Sequence, residues 1–104
     1  VHAIAHITGG GLPGNLPRVM ADQTCAILES SSWDMQPVFH WLQEQGGVER
    51  DEMYRTFNCG IGLVLAVASS DADETISLLQ ATGETASVIG RIEKHDGAAM
   101  VEIH

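Results

Sequence analysis

The longest apolar run in the chain, Ile61-Gly62-Leu63-Val64-Leu65-Ala66-Val67-Ala68, limits the fold more than any other segment. Its length is that of a β-strand and far short of the ~20 residues a membrane-spanning helix requires. Neighbours along a strand point to opposite faces, so a run apolar at every position predicts a strand in the middle of a sheet, covered on both sides. A chain of 104 residues built around such a strand has room for one domain and buries roughly two-thirds of the surface its unfolded form exposes. That suffices for a core, and it excludes both a disordered chain and a disulfide scaffold.

The segments on either side supply the rest of the layers. Val1 to Thr8 mixes β-branched and small residues and stops at Gly9-Gly10-Gly11, which predicts a short strand running into a glycine turn. Asn15 is placed to cap a brief helix with Pro17 in its first turn, and Thr24 to Leu28 predicts a second strand. Val38, Phe39, Trp41 and Leu42 make one apolar stripe of a helix over 37–45, stopped by Gly46-Gly47. Glu49 to Phe57 predicts another short helix, acidic at its start and basic near its end. Ser70 begins a third, ended at Gly83. The segments 86–93 and 98–103 alternate as strands, and the Asp96-Gly97 pair between them predicts a hairpin. The expected fold is a single α/β (α+β) domain: one mixed β-sheet with helices packed on it.

Charge narrows the partners. Five Lys and Arg stand against 14 Asp and Glu, a formal net charge of −9. The basic residues are scattered, so no positive face exists to neutralise a row of phosphates, and nucleic acid and anionic membranes are excluded as partners. Cys25 and Cys59 lie far apart with no secretory signal ahead of them, which predicts reduced thiols and a cytoplasmic setting. The chain opens at Val1, without an initiator Met and already in strand-like sequence, so an N-terminal part is expected to be absent from this chain.

The chemistry concentrates in Ala5-His6-Ile7-Thr8-Gly9-Gly10-Gly11-Leu12-Pro13-Gly14-Asn15-Leu16-Pro17-Arg18. Three glycines after a strand let successive backbone N–H groups point into one concavity, a nest that holds an anion without basic side chains. Amide dipoles at ~3 Å outweigh carboxylates beyond a Debye length of ~8 Å, so a chain this acidic still accepts a phosphate there. Read from the residues alone, the same glycines serve equally as a plain connector, since the Gly-Lys-Ser/Thr ending of a Walker loop is missing. His2 and His6 share a strand face, but no third metal ligand accompanies them. Trp33, Phe39, Trp41 and Tyr54 read as packing residues.

The string from His6 to Arg18, with Glu52-Met53-Tyr54-Arg55-Thr56-Phe57-Asn58-Cys59-Gly60-Ile61-Gly62 and Val88-Ile89-Gly90-Arg91-Ile92, resembles the C-terminal domain of the aminoimidazole ribonucleotide synthetases, the phosphoribosylformylglycinamidine cyclo-ligases. The resemblance spans essentially the whole chain and keeps the order and spacing of all three strings. It implies an ATP-dependent ligase of de novo purine biosynthesis that cyclises formylglycinamidine ribonucleotide to aminoimidazole ribonucleotide, releasing ADP and phosphate. In that family the formyl oxygen is activated by phosphoryl transfer and the amidine nitrogen then attacks. Residues 1–104 would be the C-terminal domain, supplying one wall of a cleft. An N-terminal domain outside this chain would supply most of the ATP and Mg2+ binding and the homodimer contact, and the isolated fragment would be inactive.

Carried over residue by residue, His6 is the catalytic candidate. Thr8, Gly9, Gly10 and Gly11 form the loop expected to wrap a phosphate, and Asn15 and Arg18 match the Asn-x-Pro-Arg that follows. Asn58 and Gly60 match the Asn-x-Gly-Ile-Gly turn, and no metal ligand is assigned. Gly14 stands where many relatives carry an acidic residue, so a carboxylate role there does not transfer. Cys59 sits where relatives carry Met and is read as a small apolar residue rather than a nucleophile. Two other readings use the same residues: a free-standing anion-binding or regulatory α/β module, and a sister ATP-dependent enzyme with another substrate.

Overall fold

The computed structural model describes residues 2–104; Val1, the first residue of the predicted opening strand, lies outside them. Strand β1 (Ala3–His6) is followed by the short helix α1 (Gly11–Asn15) and a 3-10 turn over Leu16–Val19. Then come β2 (Thr24–Leu28), helices α2 (Pro37–Gly46) and α3 (Arg50–Thr56), β3 (Leu63–Ala66), α4 (Ala72–Ala81), β4 (Gly90–Lys94) and β5 (Met100–Ile103). The class is the expected one, a small α+β domain with helices against mixed sheets.

The strands do not join into one sheet. β1 pairs antiparallel with β3 alone, while β2 lies between β4, antiparallel to it, and β5, parallel to it. The predicted hairpin is thereby overturned. β4 and β5 never touch as neighbours, because β2 takes the inner edge of each, and Lys94 to Gly97 forms a longer connection in which the Gly97 carbonyl accepts from the Gln23 amide at 2.8 Å. β3 likewise sits in a two-stranded ribbon rather than mid-sheet, with Leu63 57% exposed opposite His6 and Ile4 56% exposed beside them on the outer face. Burial on both faces falls instead to β2, where Cys25 to Leu28 are each 7% exposed or less.

Two clusters fill the interior. Ala5, Ile7, Leu12, Leu16, Ala26 and Leu28 form the larger, between the inner faces of β1 and β2 and the α1 turn. Met53, Tyr54 and Cys59 form the smaller, under Trp33, Phe39 and Phe57. Trp33 stands edge-on to Tyr54 at 6.4 Å and donates its indole N–H to the Cys59 carbonyl at 3.1 Å. Helix α2 departs from the predicted stripe: Phe39 and Leu42 turn inward, but Val38 and Trp41 remain 53% and 58% exposed. The helix packs against α3, which covers only part of its apolar arc.

Candidate functional site

Antiparallel pairing of β1 with β3 sets the end of one strand beside the start of the other. His6 faces Leu63 across the ladder, and the Ile7 amide donates to the Gly62 carbonyl at 2.9 Å. The glycine turn after β1 and the Asn58–Gly62 turn before β3, some fifty residues apart in sequence, therefore emerge at the same end of the ribbon. An open concavity of about 600 Å³ lies there, lined by His6, by Gly60 to Leu63 and by Gly83 to Thr85. Sequence reasoning does not point to Glu84 and Thr85. Nothing near them carries a motif, since only the return path after α4 brings them to this wall.

The glycine turn is built from inside. Thr8 to Gly11 closes with the Gly11 amide donating to the Thr8 carbonyl at 3.0 Å, and Gly10 takes φ 99°, a conformation glycine adopts without penalty. Gly9 has open space around its α-carbon, whereas a Cβ on Gly11 would run into the carbonyl oxygen of Tyr54 and lie 2.7 Å from that of Phe57. Gly11 thus serves the close approach of α1 to α3. Of the three glycines, Gly9 is exposed and Gly10 half-buried, and their amides have no backbone partner among the described residues.

Asn15 does not cap the following turn: the 3-10 segment has no side-chain cap bond. Its side chain, 5% exposed, turns back into the loop. Nδ2 donates to the carbonyls of Thr8 at 3.2 Å, Gly9 at 3.4 Å and Gly11 at 2.8 Å, and Oδ1 accepts from the Thr8 hydroxyl at 3.1 Å. Thr8 has spent its one proton on this bond but keeps acceptor capacity. Asn58 is similarly engaged, its Oδ1 accepting from the Gly60 amide at 2.9 Å. Gly60 at φ 103° would, with a Cβ, press to 2.9 Å on the Asp34 carbonyl oxygen. Arg18 is exposed on the 3-10 turn and forms no ion pair among the described residues.

Neither cysteine is placed for nucleophilic chemistry. Cys59 is wholly buried, its Sγ 3.5 Å from the Met53 carbonyl, and burial pushes its thiol above the ordinary range. Cys25 is raised by burial first and then by the Glu102 and Glu93 carboxylates. Both thiols are free. Among the described residues no three His, Cys, Asp or Glu side chains converge as a metal site, and no helix is long and apolar enough to cross a membrane.

The third sequence string belongs to the other sheet. Gly90 opens β4 where a Cβ would meet the Ile27 carbonyl and lie 2.8 Å from Leu28 Cδ2. Its glycine therefore answers to strand packing. A family model described as AIR synthase related protein, C-terminal domain, matches residues 1–102.

Proposed function

This chain belongs to the AIR synthase related family, as its C-terminal domain, and on that premise we propose that it forms one wall of the active-site cleft of an ATP-using cyclo-ligase of purine biosynthesis. The substrate would be formylglycinamidine ribonucleotide and the product aminoimidazole ribonucleotide. The observation that carries the reading is the convergence of two motif turns, His6 to Gly11 and Asn58 to Gly62, at one end of the β1–β3 ribbon. The Gly9 and Gly10 amides, without a backbone partner among the described residues, are free to donate to an anionic oxygen, the chemistry a phosphate-bearing substrate or nucleotide presents. His6, exposed beside them, is the side chain that would meet the reacting end.

The donors fit an anion, and ATP would supply the phosphoryl group that activates the formyl oxygen. This chain's part is to hold charge and orient the substrate, which is most of what phosphoryl transfer asks of a protein. As the family resemblance implies, most of the magnesium ligands and the homodimer contact would come from the N-terminal domain.

The test is an assay of ATP-driven ring closure by this chain joined to its N-terminal domain. Closure that collapses in His6→Ala supports the reading. ATP turnover with a different acceptor and none with the formyl amidine would make the protein a sister enzyme. Ligand binding without any ATP cleavage would make it a regulatory module. Ring closure by the 104 residues alone would overturn the idea of a shared cleft.

A further inference from the structure

The Asn15 network sets where the glycine turn points. Every peptide in this segment is trans, so each C=O lies opposite the N–H of the next residue. The carbonyls of Thr8 and Gly9 both turn toward Asn15 Nδ2. The amides of Gly9 and Gly10 are therefore directed away from Asn15. The amide cannot be reversed, because Oδ1 would then face three carbonyl oxygens and the Thr8 hydroxyl would lose its acceptor.

We infer that Asn15 is a positioning residue: it touches no ligand, and by gathering the carbonyls of the turn it holds the Gly9 and Gly10 N–H groups outward. The inference rests on the reading of this turn as the anion-holding part of the cleft, and it replaces the direct ligand contact expected of Asn15. Without the side-chain amide the Thr8 carbonyl would keep only the Gly11 amide as donor, and the Gly9 carbonyl would lose the contact that turns it inward. Rotating a peptide to free its oxygen also carries its N–H inward. An N–H turned inward is lost to a phosphate.

The test uses the isotope-labelled protein in solution, this chain joined to its N-terminal domain. Residual dipolar couplings of the Gly9 and Gly10 N–H bonds are compared between wild type and Asn15→Ala, with the β1 and β2 amides as internal reference. Both bonds are expected to reorient while the strands hold. Affinity for inorganic phosphate, followed by the Gly9 and Gly10 amide shifts, is expected to fall about tenfold or more. A folded Asn15→Ala with unchanged couplings overturns the inference. Should that variant fail to fold, the wild-type Asn15 side-chain protons decide: slow exchange with solvent supports the network, and exchange as fast as that of exposed Gln45 removes it. Wild-type couplings as expected but no response to phosphate would sink the anion reading and leave the positioning role standing.

Discussion

The α-carbon of Gly11 lies against the main-chain carbonyl of Tyr54, so closely that a methyl group there would overlap the oxygen. Helix α1 can rest on α3 at this distance only because the position carries no side chain. Gly11 also holds φ 61°, in the left-handed region. Gly11→Ala is expected to cost roughly 2–4 kcal/mol, combining overpacking with a left-handed alanine. Gly9→Ala, with nothing near its Cβ, is expected to stay within about 0.5 kcal/mol of wild type. Urea unfolding of both variants checks the contrast, and equal losses would remove the packing role of Gly11.

Asn58 supplies an oxygen to the Gly60 amide at the mouth of the concavity. Asn58→Asp keeps that acceptor, while Asn58→Ala removes it and is expected to lose about 1 kcal/mol. If alanine and aspartate prove equally tolerated in thermal unfolding, the turn does not depend on this bond.

Stability is expected to decline in alkali. Burial holds the Cys59 thiol above the ordinary range, and burial with neighbouring carboxylates does the same for Cys25. The folded chain then keeps its thiol protons at a pH where the unfolded chain releases them. The stabilisation is complete below the unfolded thiol pKa of about 8.5 and is lost as pH rises through the higher native values. Urea midpoints should be lower at about pH 9.5 than at about pH 7, and Cys59→Ala should flatten that dependence. A midpoint that does not move would contradict the buried-thiol account.

Trp41 and Phe39 are two residues apart on α2 yet have opposite surroundings. Phe39 packs at 5.8 Å from Phe57, and Trp41 is 58% exposed. Phe39→Ala is expected to cost about 2–3 kcal/mol, at or below the lower end for a large core truncation because the ring is only half-buried. Trp41→Ser is expected to change stability by less than about 0.5 kcal/mol. Iodide should quench Trp41 more strongly than Trp33, which lies half-buried against Tyr54.

Local grammar is legible along the chain. The glycine stop after β1, the helix that starts at Pro37, the acidic first turn of α3 and the Gly83 stop of α4 all follow from backbone preferences of a few neighbouring residues. Their boundaries shifted, as when α4 took Asp71 rather than Ser70 as its N-cap residue, because a 3-10 turn over Ser69–Asp71 precedes it. The family was legible for a related reason. The strings that carry the resemblance hold glycines and asparagines in positions that backbone geometry demands, at Gly11, Gly60 and Gly90 against neighbouring carbonyls.

Sequence by itself determined the α+β class, the types of most elements and the segments from which a site would be built. Tertiary structure alone decided which strands became neighbours: β2 intervened between β4 and β5, and β3 went to β1 rather than to the middle of a sheet. It also turned Asn15 inward and brought Glu84 to the concavity. The physical division is one of range. Torsional preferences and capping act over a handful of residues and can be read along the chain, whereas a strand's unpaired N–H and C=O groups accept any partner that long-range packing brings alongside.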